Sequence, residues 1–197
     1  MVRRVCRPAP VVTGPVTAAV RSLILLAFFL MSGFISPVQP ASREYQVKAV
    51  FLYNFAQFIE WPADAFPSSN APLIIGVLGE NPFGGYLNEA VEGEVLNGHP
   101  LKVEEYKKVE DVGNCHILYV NVNKKEALGR TLSALESQNI LTVGDAGSFI
   151  EQGGMVRFFT DKGKTRIQIN LESTKKADIV VSSKLLRVAD VVGAEHN

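Results

Sequence analysis

The chain has little cysteine and histidine and none of the common catalytic motifs. Its two cysteines, Cys6 and Cys115, provide no disulfide framework. The three histidines, His99, His116 and His196, are not spaced as metal ligands. The sequence contains no GxSxG elbow and no GK[ST] phosphate loop. We therefore predict a protein that is not an enzyme and that needs no cofactor or metal.

Acidic residues are missing from the first 41 positions, which carry four arginines. An apolar run follows these arginines from Leu23 to Ile35, and Ala41 is a small residue beyond it. A basic front, an apolar centre and a small residue are typical of a secretory signal peptide. We predict that residues 1–41 are a cleaved signal peptide and that residues 42–197 form the mature domain. An uncleaved anchor is the alternative, and the prolines after the run favour cleavage.

Loss of the leader changes the charge of the protein. The whole chain has 20 basic and 20 acidic residues, and removing four arginines leaves 16 basic residues and a net charge of −4. This balance does not favour a surface for nucleic acid or anionic membranes. The one remaining cysteine, Cys115, opens an apolar run, which predicts a small buried side chain. A redox-sensing thiol is the alternative at Cys115.

The segment Lys48–Pro62 predicts a helix that is apolar on more than one side. Its first apolar face is formed by Val47, Phe51, Phe55, Phe58 and Ile59. The opposite side is filled by Ala49, Val50, Leu52 and Ala56. A surface helix normally keeps its second face polar. This helix is therefore either sandwiched within the fold or held ready for a partner.

The later segments alternate between strands and helices and end in a hairpin. The predicted strands are 73–78, 101–106, 115–120, 140–143, 155–160 and 165–171, and the predicted helices are 82–91, 124–135 and 182–191. The last two strands are joined by the polar link Asp161–Lys164, which is typical of a β-hairpin. We predict an α/β fold: a single compact domain with a mixed, mainly parallel sheet flanked by helices and a C-terminal antiparallel hairpin.

Two sequence features suit a small ligand. Gly79, Gly84 and Gly85 follow a buried strand and open a helix, where backbone amides bind anions. Asp145 follows another strand at its carboxyl end, the usual place for ligands in α/β sheets. These four residues form a candidate ligand site, and ordinary turn roles are the alternative.

A second set of residues suits a protein partner. Aromatic residues and arginine are enriched at the centres of protein interfaces. A phenylalanine on a short turn and another in the hairpin stand near an Arg/Asn polar face, although both rings pack beneath helices in the alternative interpretation. The predicted partner-binding residues are Phe149, Ile150, Glu151, Phe158, Arg166 and Asn170.

Six phrases of the sequence resemble the YfiR-like family of small exported bacterial proteins. They are FLYNFAQFIEWP, CHILYV, LTVGD, GGMVRFF, RIQIN and SSKLLRVA, in this order from about residue 45 to 190. The resemblance implies a non-catalytic periplasmic regulator. Such a protein binds and represses an inner-membrane diguanylate cyclase, called YfiN or TpbB, and so lowers cyclic di-GMP and biofilm formation.

The resemblance also implies further partners. An outer-membrane lipoprotein of the YfiB type withdraws the repressor from the cyclase, and the repressor forms a homodimer. Some relatives carry paired cysteines that respond to redox state, and this chain lacks the pairs. The alternative function is a periplasmic small-molecule sensor or solute-binding domain that serves another membrane receptor.

Overall fold

The computed structural model describes residues 43–136 and 138–193. The predicted signal peptide and His196 lie outside these residues. Helices and strands alternate along the described chain, with short 3₁₀ turns at Ala63–Ala65 and Val109–Asp111. In chain order the elements are α1 (Arg43–Phe58), β1 (Ile59–Glu60), β2 (Leu73–Gly79), α2 (Tyr86–Val91), β3 (Val95–Leu96), β4 (His99–Tyr106), β5 (Ile117–Asn121), α3 (Lys125–Leu135), β6 (Leu141–Gly144), β7 (Val156–Asp161), β8 (Lys164–Asn170), α4 (Leu171–Lys176), β9 (Val180–Val181), α5 (Ser183–Leu186) and β10 (Asp190–Val192).

The main sheet has eight strands in the order β10-β8-β7-β6-β5-β2-β4-β3. Strands β4, β2, β5, β6 and β7 run parallel, whereas β8 is antiparallel to β7 and β3 is antiparallel to β4. Strand β10 pairs with β8 in parallel, and β1 and β9 form a separate two-stranded antiparallel sheet. The predicted α/β class, with a mixed, mainly parallel sheet and a late hairpin, is confirmed.

Each face of the sheet carries its own apolar core. The first core joins α1 and α2 to the sheet and includes Phe55, Phe83 and Phe158. The second core lies under α3 and includes Leu118 and Phe149. Strand β2 is buried along almost its whole length, as expected for a central parallel strand covered on both sides.

Helix α1 buries part of each predicted apolar side. Its buried residues are Lys48, Ala49, Leu52, Phe55 and Ala56. Val47 and Val50 are 40% and 52% exposed, so the helix is not sandwiched within the fold. Lys48 belongs to neither predicted apolar side, and the structure nevertheless buries it. The helix also ends at Phe58, earlier than predicted, because Ile59–Glu60 pairs as a strand with Val180–Val181.

The predicted hairpin is confirmed and has a two-residue turn. Lys162 and Gly163 both have positive φ angles, 48° and 73°, as the tight turn between antiparallel strands requires. The pleat sends Phe158 into the first core, where its ring stacks on Phe55 with centroids 5.9 Å apart. Phe159 points to the other side and is half-buried.

Two predicted helices are shorter than expected. The helix predicted from residue 82 begins at Tyr86, because the Asn81 side chain accepts a hydrogen bond from the Phe83 amide at 2.8 Å and forms a turn first. The last predicted helix is replaced in part by a strand, Asp190–Val192. This strand pairs with the outer edge of β8. No other strand of the described residues covers that edge.

Truncation of the buried hairpin ring tests this packing. We expect Phe158→Ala to lower the free energy of unfolding by about 3–5 kcal/mol, because the loss of a buried ring leaves a cavity. Chemical denaturation measures the change. Phe159→Ala, at the neighbouring half-buried position, is the matched control and should cost much less. Equal losses in the two variants would contradict the assigned pleat.

Candidate functional site

A buried ion pair joins α1 to the carboxyl edge of the sheet. The Nζ of Lys48 lies 2.7 Å from Oδ2 of Asp145, the residue that follows β6. The same Nζ lies 2.7 Å from Oε1 of Glu44, one turn earlier in the helix. Lys48 is only 3% exposed. Since an unpaired buried ammonium is costly, the two carboxylates are what permits this lysine to face the sheet.

Two tyrosines complete the hydrogen bonds of the Asp145 carboxylate. The hydroxyl of Tyr119 donates to Oδ2 at 2.7 Å, and that of Tyr45 donates to the same atom at 3.3 Å. The ring of Phe83 lies between the two tyrosine rings, with centroids 5.7 Å from Tyr45 and 4.8 Å from Tyr119. We call Glu44, Lys48, Tyr45, Tyr119 and Asp145 the carboxylate cluster.

The carboxylate cluster favours its charged form. Burial alone would raise the pKa of Asp145, but hydrogen bonds from Lys48 and Tyr119 lower this pKa below its ordinary value. Burial opposes the charge of Lys48, and hydrogen bonds to Asp145 and Glu44 raise its pKa nevertheless. Burial, followed by the charge of Asp145, raises the pKa of the Tyr119 hydroxyl, which stays protonated as a donor.

The cluster fills the place where the sequence predicted a ligand. Asp145 already accepts three donors at one oxygen, and α1 covers it. Gly79 has φ 97°, and a Cβ there would stand 2.7 Å from the carbonyl oxygen of Asn121. Gly84 has φ 57°, and Gly85 precedes a helix of only six residues. The positive φ angles of Gly79 and Gly84 therefore indicate turn roles, whereas Gly85 has an ordinary φ of −80°. A ligand role for these glycines and Asp145 stays a prediction.

The two phenylalanines predicted to meet a partner are buried. Phe149 is 0% exposed and Phe158 is 1% exposed, so the expectation that these rings reach the surface is wrong. The ring of Phe149 packs between Gly144 and Gly154, where a Cβ at either glycine would collide with it. The sequence argument treated the turn after β6 as an exposed tip, whereas this turn folds back over the second core.

The remaining predicted partner residues lie at or near the surface, but they belong to different elements and have different structural roles. Ile150 is half-buried and Glu151 is exposed on the turn after β6. Asn170 caps α4, since its Oδ1 accepts a hydrogen bond from the Ser173 amide at 3.2 Å. Arg166 is exposed and lies 3.4 Å from Asp190 in an exposed ion pair.

Cys115 has the environment of a structural cysteine. Its side chain is 5% exposed, and burial raises the pKa of its thiol to about 12. Both properties oppose the redox role, because the reactive form is an exposed thiolate. The neighbouring His116 faces the other way, and its ring stacks on Phe66 with centroids 4.2 Å apart. The predicted burial of Cys115 and the predicted separation of these two side chains are confirmed.

The hairpin surface around the predicted Arg166 also contains Arg157, Phe159 and Gln168, which are not in the predicted partner-binding set. Arg157 pairs with Gln168 across the hairpin, and Phe159 pairs with Arg166. These side chains point away from the first core and are half-buried or exposed. The guanidinium of Arg157 lies 5.6 Å from the centre of the Phe159 ring. We call Arg157, Phe159, Arg166 and Gln168 the open face. Alternation along the strand could have identified Phe159, because it shares a side with Arg166.

The charges of the domain are divided between the two edges of the sheet. Residues 80–111, which include β3 and β4, contain eight acidic and three basic side chains. Residues 156–192, which include β7, β8 and β10, contain eight basic and four acidic side chains. The strand order places these segments at opposite edges. The net charge of −4 predicted for the mature chain therefore conceals a basic edge.

Among residues 43–136 and 138–193, none of the helices is long and apolar enough to cross a membrane. Within the same residues, no three histidine, cysteine or acidic side chains lie together as metal ligands.

The chain matches the model of one protein family. A family model described as YfiR/HmsC-like matches residues 45–190, which is more than half of the chain. The match covers α1, the whole main sheet up to the start of β10, the carboxylate cluster except Glu44, and the open face. A comparison with curated proteins gave no match.

A double-mutant cycle tests the energy of the ion pair. We expect Lys48→Met to destabilise the domain by about 3 kcal/mol, because Asp145 is left without its cation. Lys48→Met with Asp145→Asn should lose less than the sum of the two single losses, since the residues are in direct contact. Chemical denaturation measures each value. Lys176→Met is the control, because its ion pair with Glu172 is exposed and screened by solvent and should contribute little to stability. Additive losses would contradict the pair.

The lowered pKa of Asp145 predicts an acid dependence of stability. The unfolded chain binds a proton at Asp145 near pH 3.9, whereas the folded chain does so only at lower pH. The stabilisation is therefore fully present above about pH 5 and is lost as the pH falls through the folded pKa. Denaturant unfolding at several pH values between about 3 and 7 should show a flatter profile for Asp145→Asn than for the wild type. Parallel profiles would refute this assignment.

Proposed function

Because the chain belongs to the YfiR/HmsC-like family, we propose that it is a periplasmic regulator that binds an inner-membrane diguanylate cyclase and holds it inactive. The match over residues 45–190 is the observation that carries this proposal. Binding to the periplasmic domain of the cyclase would lower cyclic di-GMP and with it biofilm formation. The protein acts without catalysis in this scheme.

Repression by binding has a thermodynamic requirement. The regulator must bind the inactive conformation of the cyclase more tightly than the active one, because a ligand shifts an equilibrium only through its differential affinity. A hundredfold preference corresponds to about 2.7 kcal/mol. The regulator itself needs no large movement, and a rigid surface loses less entropy on binding.

The open face supports a role in protein binding. Arg166 is exposed and extends beside the half-buried ring of Phe159. An aromatic ring flanked by guanidinium groups is typical of interface centres. The ion pair between Arg166 and Asp190 is exposed and weak, so a partner carboxylate can compete with Asp190 for the guanidinium. We therefore assign the first contact with the cyclase to this face.

The proposal has three further parts, of which the first rests on the composition of residues 1–41 and the other two on the family resemblance. A cleaved signal peptide exports the mature domain to the periplasm. An outer-membrane lipoprotein of the YfiB type removes the regulator from the cyclase when signalling is needed. Formation of a homodimer completes the scheme.

Deletion of the gene in the source bacterium tests the proposed function. We expect intracellular cyclic di-GMP to rise, because the cyclase is no longer held inactive. The full-length gene should restore the low level, and a form without residues 1–41 should not. Unchanged cyclic di-GMP under several growth conditions would count against the proposal.

Reversal of one charge tests the open face. We expect Arg166→Glu to weaken binding to the periplasmic domain of the cyclase by about tenfold or more, which corresponds to about 1.4 kcal/mol. Isothermal titration calorimetry measures the affinity. Lys102→Glu, an exposed reversal on β4 at the opposite part of the sheet, is the control and should bind as the wild type does. A loss of cooperative melting in Arg166→Glu would instead assign this residue a structural role.

A further inference from the structure

We propose that the groove between the first turns of α1 and the tip of the β7–β8 hairpin is a docking site for an acidic segment of the membrane partner that also carries an apolar side chain. This inference rests on the proposed function and specifies the partner's chemistry. The groove lies at the tip of the hairpin, and the open face begins at Arg166, two residues from Lys164.

The solvent-facing side of α1 has an unusual composition. Val47 and Val50 are 40% and 52% exposed, three positions apart and therefore on one side of the helix. A surface helix normally keeps polar residues on this side. Because the opposite side of α1 is already packed against the sheet, the exposed valines have no role in the first core.

The groove lies beside these valines. It has a volume of about 570 Å³ and is open to solvent on the surface. The helix side of the groove is formed by Arg43, Glu44 and Val47, and the hairpin side by Thr160, Lys164 and Thr165.

The charges in the groove select an acidic occupant. Lys48 lies 2.7 Å from both Glu44 and Asp145, so this one cation is shared by two carboxylates, and Glu44 keeps an exposed side chain on the helix wall. Arg43 and Lys164 are exposed, and neither lies within ion-pair distance of a carboxylate among residues 43–136 and 138–193. Among the described residues, the groove therefore presents two cations against the one carboxylate of Glu44, a net positive charge, beside an exposed apolar side chain. A segment with carboxylates next to an apolar residue complements both features.

The position of the groove within the domain also favours an acidic occupant. Its hairpin wall belongs to residues 156–192, the basic edge of the sheet, and the acidic edge lies at the opposite end of the strand order. Such a separation of charge orients an approaching acidic surface toward the basic edge. A cationic partner segment would be steered to the other edge.

Both walls of the groove are fixed before a partner arrives. The helix wall is held by the ion pair between Lys48 and Asp145. The hairpin wall is joined to the helix through Phe51 and Phe158, whose ring centroids lie 5.8 Å apart. A preformed groove loses little conformational entropy on binding. If the partner segment becomes ordered only in the complex, the loss of conformational entropy falls on that segment.

Two groove variants and two matched controls test the inference against the purified periplasmic domain of the cyclase. Val47→Glu places a like charge beside the acidic segment, and Lys164→Glu removes a cation. We expect each to weaken binding by about tenfold or more in calorimetric titrations, with unchanged melting. Val95→Glu and Lys102→Glu make the same changes at exposed positions near the acidic edge, and both should stay within about twofold of the wild type.

The outcomes separate the inference from the function on which it rests. If the wild type does not bind the cyclase domain, the proposed function fails and the docking site fails with it. If the wild type binds and the groove variants match their controls, the groove assignment alone is overturned. A change in the sedimentation of the free protein, caused by Val47→Glu but not by Val95→Glu, would identify a second copy of the chain as the occupant and overturn the assignment to the cyclase.

Discussion

The arrangement of this domain depends on one ion pair, between Lys48 of α1 and Asp145 at the end of β6. The two residues are 97 positions apart in sequence, and their contact sets the rotation of the first helix on the sheet. Rotation by one residue, about 100°, would expose the ammonium and bury Val47 in its place. The sheet can accept a charge at this position only because Glu44 and two tyrosine hydroxyls complete the polar cluster.

This rotation links two features that otherwise look unrelated. It closes the carboxyl edge of the sheet, where α/β proteins commonly bind small molecules, by filling it with the protein's own lysine and tyrosines. It also turns Val47 and Val50 to solvent. The same contact therefore removes the space for a solute and creates an apolar strip suited to another protein.

Sequence patterns predicted the alternation of elements and the hairpin, because β2, β5, α3 and the Asp161–Lys164 link have local signals of period or turn type. They could not predict which side of α1 is buried. Nothing near Lys48 in the sequence indicates that this charged side chain is buried, because its partner, Asp145, lies in a distant loop. Phe149 was misplaced for a related reason. The space for its ring is created by Gly144 and Gly154, which flank it only after the chain has folded back.

The division of charge between the two edges of the sheet could not be predicted from composition either. A net charge describes solubility, whereas recognition depends on where the charges lie. Here the strand order moves residues 80–111 and 156–192 to opposite edges, so a chain with no net charge presents a basic edge beside α1. Buried contacts hold the walls of this region and fix its surface. In the function that we propose, state selectivity then comes from the partner, which exposes the complementary acidic segment in one conformation and withdraws it in the other.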